Sequence, residues 1–226
     1  MSTSAVRRGA DVVTSSLDVL RELIAAFSRS GDVGSLAVVG NAPMAPDEGR
    51  ARAIDEADVV VRVNGFRTDV GGEPAVGTRT DVVVFNRALR ATPWFFAGYR
   101  RRLHLLVEPG RLHWERPQIP PWWPSDLGFI SVPNREVTIA ACADIGVDLT
   151  AESHWPTTGT LAAWMAVQLF PDADVRLAGF SFLDDSAQTS WHHATGLPSP
   201  VGHEHLIARE AHLIRAWLAE GRASLA

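Results

Sequence analysis

Cysteine is almost absent from this sequence, and long apolar runs are missing. The 226 residues include a single cysteine, Cys142, so no internal disulfide can form and zinc sites built from several cysteines are excluded. No apolar run reaches the roughly 18 residues that a membrane-spanning helix needs. Residues 1–30 lack the hydrophobic stretch followed by small residues that is typical of a signal peptide. We therefore expect a cytoplasmic protein without a membrane span.

Positive charge is also scarce. The chain has 21 Lys and Arg residues against 26 Asp and Glu residues, which gives a formal net charge of −5. The three consecutive arginines at 100–102 are the longest basic run, and one such run is more often a solvated edge than a binding patch. A nucleic-acid surface normally combines a larger basic patch with stacking aromatic residues. We therefore expect small-molecule partners and no nucleic acid.

Short apolar runs rich in valine or leucine recur along the chain. Such runs are typical of strands that are buried on both faces, as in a parallel or mostly parallel sheet. Strands that alternate with helical patterns predict an α/β fold, a Rossmann-like domain with a mostly parallel sheet and helices on both faces. The runs lie at residues 35–40, 58–63, 81–86, 103–108 and 174–180, and 127–132 is a sixth candidate.

Three segments show helical periodicity. Residues 10–29 form an amphipathic pattern, and residues 159–170 are densely apolar and end before Pro171. Residues 202–221 place apolar side chains at helical spacing and end at a glycine. At 226 residues the chain has room for one α/β domain, so we predict a single domain over 1–226 that begins with this N-terminal helix.

A loop rich in proline and tryptophan interrupts the alternation. Residues 115–128 contain four prolines, which exclude a regular element there. Two interpretations stay open for this loop. It could be a lid or a rim that faces an acceptor, or Trp122 and Trp123 could simply fill a hydrophobic gap.

Asparagines follow two of the predicted strands. Asn41 comes after Gly40 at the end of the first strand, and Asn64 stands at the end of the second. Ligands bind at the carboxyl ends of strands in open α/β sheets, a glycine lets backbone approach a ligand closely, and an asparagine offers both a donor and an acceptor. The alternative is that both asparagines are ordinary turn residues. No GxGxxG motif follows the first strand, so NAD is disfavoured.

A threonine pair precedes the apolar helix. Thr157, Thr158 and Gly159 follow a proline directly before the helical pattern begins. Free backbone N–H groups and two hydroxyls at a helix start can bind a phosphate or a carboxylate. The alternative is that one threonine only caps the helix. The lysine of a P-loop is absent.

Four of the eight histidines lie within residues 190–210, at His192, His193, His203 and His205. A metal site would combine His203 and His205 with a third histidine. Side chains two apart on a helix do not share a face, however, and the HExxH pattern is absent. Acid–base chemistry is the favoured interpretation because neutral histidine is a natural base near pH 7. Glu210, five residues after His205, could support that helix start.

These pieces together resemble the sialyltransferases of glycosyltransferase family 29. The large motif of that family is similar to residues 36–86, which include "LAVVGNAPM" and "VVVRVNGF". The small motif is similar to "PTTGTLAAWMAVQLFPDADVRLAGFSF" at 156–182. A third motif resembles "WHH" at 191–193, and the very small motif, a histidine and a glutamate separated by four residues, resembles "HLIARE" at 205–210. The order and approximate spacing of all four agree.

The resemblance implies a fold of the variant glycosyltransferase A type and a function. The implied enzyme is a short, soluble, bacterial-type, metal-independent inverting glycosyltransferase that uses a CMP-activated sugar, by default sialic acid, and needs no cofactor. Asn41 and Asn64 would hold the ribose and phosphate of the donor. The segment Thr157–Gly159 would contact the nucleotide or the sugar carboxylate.

The resemblance also implies catalytic roles for the histidines. His205 would be the general base that deprotonates the acceptor hydroxyl, with Glu210 in the same motif. Either His192 or His193 would hydrogen-bond the leaving phosphate. These roles suit a transition state that needs its leaving group neutralised and its nucleophile deprotonated.

Two departures from the family pattern leave other functions open. Ser35 stands where animal members have the first cysteine of a disulfide, a change that suits a reducing compartment. The aromatic and acidic residues that usually follow the paired histidines are missing, so the acceptor is not predicted. The alternatives are a hydrolase that acts on CMP or a CMP conjugate, and a non-catalytic module that binds a nucleotide or a sugar.

Overall fold

A seven-stranded sheet, in which each strand runs parallel to its neighbours, lies at the centre of the fold. The computed structural model describes residues 15–90, 92–108, 123–149, 151–196 and 198–226. The strand order is β5-β4-β3-β2-β1-β6-β9, and β7 and β8 form a separate antiparallel hairpin. The strands are β1 (Ser35–Val39), β2 (Val59–Val63), β3 (Val82–Phe85), β4 (Leu103–Leu106), β5 (Ile130–Ser131), β6 (Asp174–Ala178), β7 (Ser190–His192), β8 (Pro198–Pro200) and β9 (Ser224–Leu225).

Helices cover both faces of the sheet. On one face Leu36 and Val38 of β1 belong to the main apolar core, which α1, α5 and α6 complete. On the other face Ala37 and Val39 pack with Ile54 of α2. The predicted α/β architecture, with a mostly parallel sheet and helices on both faces, is confirmed. The helices are α1 (Ser16–Ala25), α2 (Glu48–Glu56), α3 (Pro93–Phe96), α4 (Ile139–Asp144), α5 (Thr158–Leu169) and α6 (Ile207–Ala219).

Helix α5 is buried nearly all round. It contacts β1, β2, β3 and β6 on the inner side, and α1 packs on it from outside. Ten of its twelve residues are buried, as expected for a helix with apolar side chains on every face. This burial fixes the position of its first turn against the strand ends. None of the helices in the described ranges is long and apolar enough to cross a membrane.

Two predicted helix boundaries differ from the structure. The prediction of a helix over 202–221 is wrong at its start, because α6 begins at Ile207 and the residues before it form turns, with the His205 N–H donating to the Gly202 carbonyl at 3.1 Å. Its end agrees, and Gly221 adopts a φ of +72° there. Helix α1 ends at Ala25, short of the predicted 29, and the predicted start at residue 10 lies outside the described residues.

The loop rich in proline and tryptophan is described from Trp123 onward, so Trp122 lies outside the described residues. Residues 123–128 contain no helix or strand, as predicted. Trp123 stacks on Phe85 with ring centroids 5.8 Å apart and meets Phe95 edge-on at 5.8 Å. The gap-filling interpretation is therefore confirmed for Trp123.

Candidate active site

One cavity of about 490 Å³ lies at the carboxyl ends of β1, β2, β3 and β6. Strands β2 to β5 are added on one side of β1, and β6 and β9 on the other. The cavity therefore lies where the strand order reverses, which is the place where ligands bind in open α/β folds. Nine of the ten predicted site residues line it. Gly40, Asn41, Asn64, Thr157, Thr158 and Gly159 form what we call the nucleotide end. His192, His193 and His205 form the histidine end.

Asn41 offers the nucleotide end an open acceptor. Its side-chain Nδ2 donates to the Val63 carbonyl at 3.0 Å, which fixes the amide against β2. Its Oδ1 is buried and accepts no hydrogen bond from the part of the chain that the structure describes. A buried amide oxygen without a donor costs free energy, so this atom is well suited to receive an N–H or O–H group of a ligand.

Asn64 and Asn86 link two further strand ends. Asn64 has a φ of +49°, which asparagine tolerates better than most residues, and its Oδ1 accepts from the Asn86 N–H at 3.2 Å. Asn86 Nδ2 then donates to Thr158 Oγ1 at 2.8 Å. The sequence analysis missed Asn86, although it ends its strand as Asn41 and Asn64 end theirs. The same argument from strand ends would have found it.

Glycine is needed at position 40 for a reason other than the predicted close approach of a ligand. A Cβ on Gly40 would lie 2.3 Å from the Gly179 carbonyl oxygen, and Gly179 itself has a φ of +71°. The close neighbour is thus the backbone that follows β6. Gly40 still lines the cavity, but the approach it permits is between two strand ends of the protein.

The start of α5 combines capping with a free hydroxyl. Thr157 is the N-cap, and its Oγ1 accepts from the Thr160 N–H at 3.2 Å. The capping interpretation is therefore confirmed for Thr157. Thr158 Oγ1 accepts from Asn86, so its own proton can be donated to a ligand. The N–H groups of the first helical turn have no partner within the helix and favour an anion.

Glu210 lies behind this helix start and does not line the cavity. Its side chain is fully buried, and its Oε2 accepts from the Thr157 N–H at 2.9 Å and from Thr157 Oγ1 at 2.7 Å. Burial raises the pKa of Glu210, while the hydrogen bonds from threonines oppose that shift. Glu210 lies in the first turn of its own helix, and its carboxylate also holds the start of α5, a contact that the sequence did not predict. Glu210 is therefore a positioning residue.

His205 occupies the turn before α6 with its ring held from one side. Its Nδ1 lies 3.0 Å from the Trp155 carbonyl oxygen, which can only accept, so Nδ1 carries the proton. Its Nε2 then has a free lone pair and lies 3.6 Å from Glu204 Oε1. The imidazole is 18% exposed and lines the cavity. With Nδ1 donating, Nε2 is the ring nitrogen that can accept a proton.

The hairpin β7–β8 carries the paired histidines. His192 is exposed, and its Nε2 lies 3.4 Å from Ser190 Oγ. His193 is half-buried, and its Nε2 lies 3.3 Å from Ser199 Oγ. Burial lowers the pKa of His193, and the charge of Arg90 and the neighbouring His192 lower it further. Both histidines line the cavity.

The residues of the postulated metal site are separated. His203 is 97% exposed, in contrast to His205, and it does not line the cavity. His203 and His205 precede α6, so the prediction that they lie on different faces of one helix is wrong. Their exposures nevertheless differ, at 97% and 18%. Within the described ranges, no group of three or more His, Cys, Asp or Glu side chains is placed to hold a metal ion.

Part of the chain matches a known protein family. A family model for glycosyltransferase family 29 (sialyltransferase) matches residues 10–104, which are 95 of the 226 residues. The matched segment contains the large motif, and the other three motifs lie beyond it. No curated protein sequence matches the chain.

Solved structures resemble the whole fold. A mammalian sialyltransferase in complex with Gal-β-1-3GalNAc-ortho-nitrophenol has a TM-score of 0.60 at 18% identity, covering 96% of this chain and 81% of that chain. A second structure of a mammalian sialyltransferase has a TM-score of 0.54 at 18% identity, with 96% and 80% covered. A variant of the sialyltransferase CST-II in complex with CMP has a TM-score of 0.50 at 11% identity, with 85% and 80% covered.

The predicted resemblance is therefore confirmed: over residues 10–104 the chain matches glycosyltransferase family 29, and its Rossmann-like fold is that of the sialyltransferases, the variant glycosyltransferase A type.

Proposed function

We propose that this protein is a metal-independent, inverting glycosyltransferase that takes a CMP-activated sugar, sialic acid by default, and transfers it to a hydroxyl group. The observation that carries this proposal is the arrangement of His205. Its Nδ1 proton is held by the Trp155 carbonyl, and its Nε2 lies in the same cavity as the nucleotide end. A base and an anion-binding helix start thus share one space of about 490 Å³.

The nucleotide end supports binding of the CMP part. Asn41 Oδ1 needs a donor, and a cytosine amino group or a ribose hydroxyl supplies one. Thr158 and the N–H groups of the first turn of α5 offer donors to an anion, which is either the phosphate or the sugar carboxylate. Glu210 fixes this turn through Thr157. The site therefore combines one unsatisfied acceptor with a cluster of donors.

The transfer itself is a single displacement. His205 Nε2 takes the proton of the acceptor hydroxyl while the acceptor oxygen forms a bond to the anomeric carbon of the sugar. The bond between that carbon and the phosphate oxygen breaks, CMP leaves with the electron pair, and the configuration is inverted. His192 or His193 donates a hydrogen bond to the departing phosphate oxygen, which lowers the energy of the developing charge.

The bound molecules in the similar structures are a nucleotide and a glycoside. The CST-II variant contains CMP, and the mammalian sialyltransferase contains a disaccharide linked to nitrophenol. We therefore propose a cytidine nucleotide and a sugar or glycoside acceptor as the two substrates of this chain.

The test of the nucleotide site is calorimetric titration in EDTA with CMP, CDP, UMP, GMP and NAD. We expect selective binding of CMP to the wild type and a loss of about 1–3 kcal/mol in Asn41→Ala, because a buried ligand group loses its partner. Asn134→Ala is the matched control, since Asn134 does not line the cavity. Equal binding of all nucleotides, or loss of binding in EDTA, would contradict the proposal.

Product analysis separates transfer from hydrolysis. CMP-sialic acid incubated without an acceptor should release little free sugar, because the proposed displacement uses the hydroxyl group that the acceptor supplies. Fast stoichiometric release of free sugar without an acceptor would support the alternative, a hydrolase that acts on CMP conjugates.

A further inference from the structure

The cavity rim holds a positive charge for which the proposed function names no partner. Arg90 lines the cavity from the loop that follows β3. Among the cavity-lining residues in the described ranges, Arg90 is the single arginine or lysine, and Glu204 is the single carboxylate. Arg90 is exposed and forms no ion pair with any residue that the structure describes. Its guanidinium is therefore free to meet a ligand.

The backbone at Arg90 is held firmly against the nucleotide end. A Cβ on Gly65 would lie 2.2 Å from the Arg90 carbonyl oxygen, so the two backbones are in direct contact. Two residues later, Thr92 Oγ1 donates to the Phe66 carbonyl at 3.0 Å and caps α3. The backbone position of Arg90 is thus fixed by the segment that follows β2.

The neighbouring histidine cannot supply the same charge. The pKa of His193 is lowered, first by burial and then by the nearby charge of Arg90. Its imidazole is therefore mostly neutral near pH 7, and a neutral imidazole donates one hydrogen bond but carries no net charge. Arg90 is thus the residue beside His193 that carries a permanent positive charge.

We propose that Arg90 is a specificity-determining residue that binds an anionic group of the donor substrate. This inference rests on the proposed function. CMP-sialic acid carries two such groups, the phosphate and the sugar carboxylate, and both present oxygen pairs that match the fork of a guanidinium. The start of α5 offers such an anion hydrogen bonds but no formal charge, and Arg90 is the one arginine or lysine among the described residues that line the cavity.

The experiment is calorimetric titration of the wild type, Arg90→Gln and Arg90→Lys with cytidine, CMP and an unreactive fluorinated CMP-sialic acid. Arg101→Gln is the matched control, because Arg101 is also exposed and does not line the cavity. We expect Arg90→Gln to weaken binding of the anionic ligands roughly tenfold, as for one charge-assisted contact at a partly hydrated site. Cytidine binding and the thermal unfolding temperature should not change.

The pattern across ligands identifies the anion. An equal loss for CMP and for the CMP-sialic acid analogue assigns Arg90 to the phosphate, and a loss confined to the analogue assigns it to the carboxylate. Partial recovery in Arg90→Lys supports a contact through charge. Unchanged affinity for both anionic ligands in Arg90→Gln would overturn the inference, as would the same loss in Arg101→Gln.

Two further measurements separate this inference from the proposed function. Failure of the wild type to bind CMP would refute the proposed function, and titration with inorganic pyrophosphate would still test anion binding at Arg90. Histidine NMR titration gives a readout that ligand identity does not affect. Removing the charge in Arg90→Gln should raise the pKa of His193, and an unchanged titration would refute the placement of Arg90 beside it.

Discussion

The nucleotide end and the histidine end of the cavity are built in different ways. At the nucleotide end, strand ends and the first turn of a buried helix are joined by hydrogen bonds of 2.8–3.2 Å. At the histidine end, the side-chain contacts of the hairpin are 3.3–3.4 Å long. The sheet fixes the first region before any ligand arrives. The second region carries its histidines on a short hairpin and a turn, and contacts on such segments commonly tighten only when a ligand is bound.

His205 is the exception within the histidine end, since the Trp155 carbonyl holds its ring at 3.0 Å. His205→Ala is therefore the change with the largest expected effect. Loss of a positioned general base should lower kcat by roughly 10²–10⁴-fold, while CMP affinity stays the same because the nucleotide end is untouched. Transfer assays and CMP titration measure the two quantities.

The matched control for His205→Ala is His203→Ala, whose side chain is 97% exposed and outside the cavity. Its kcat should equal that of the wild type. Comparable rate losses in both variants would contradict the assignment of the base, and a fall in CMP affinity in His205→Ala would show that the two ends are not independent.

Glu210 supports the nucleotide end from behind, and Glu210→Ala should destabilise the fold. The change leaves the Thr157 N–H without its acceptor in a buried site, at a cost of about 1–3 kcal/mol in the free energy of unfolding. Denaturant unfolding measures this loss. The exposed Glu220, at the other end of α6, provides the control Glu220→Ala, which should change the free energy of unfolding little.

The raised pKa of Glu210 also predicts a pH dependence. A carboxyl group whose pKa is higher in the folded state binds more protons there than in the unfolded state. Its contribution to the free energy of unfolding therefore falls as the pH rises above the ordinary glutamate pKa. Glu210→Gln should remove this part of the pH dependence of stability. An unfolding free energy with the same pH profile in Glu210→Gln and wild type would contradict the shift.

The difference between the two ends also explains what the sequence could predict. The valine-rich runs predicted the sheet, and strand ends follow from the sheet, so Asn41, Asn64 and the threonine pair were found by position alone. The hairpin was missed because β8 contains Pro198 and Pro200, and proline argues against a strand. Short elements of two or three residues give no periodicity to detect.

The residues of the cavity rim were missed for another reason. Arg90 and Glu204 line the cavity only because their loops fold back, one against Gly65 and the other so that its carboxylate lies within 2.2 Å of a Cβ built on Gly202. Neither contact has a sequence signature, because a glycine indicates a turn but does not indicate which residue will pack against it.

Asn86 gives the smallest predicted effect and the sharpest test of how the nucleotide end works. It does not carry the open acceptor that Asn41 carries, and its side chain donates to Thr158, so we expect it to act on the ligand through Thr158. Asn86→Ala should weaken CMP binding by about 0.5–1.5 kcal/mol, the usual net value of one hydrogen bond. Thr158→Ala and the double variant complete a cycle, measured by the same titration.

Because Asn86 and Thr158 share one hydrogen bond, their effects should not add, and the double variant should bind CMP about as weakly as Thr158→Ala alone. Asn41→Ala combined with Asn86→Ala is the contrasting pair, since no described hydrogen bond joins these two side chains, and its effects should add. Additive effects in both pairs would mean that Asn86 meets the nucleotide directly, so the nucleotide end would be a set of separate contacts instead of a connected network.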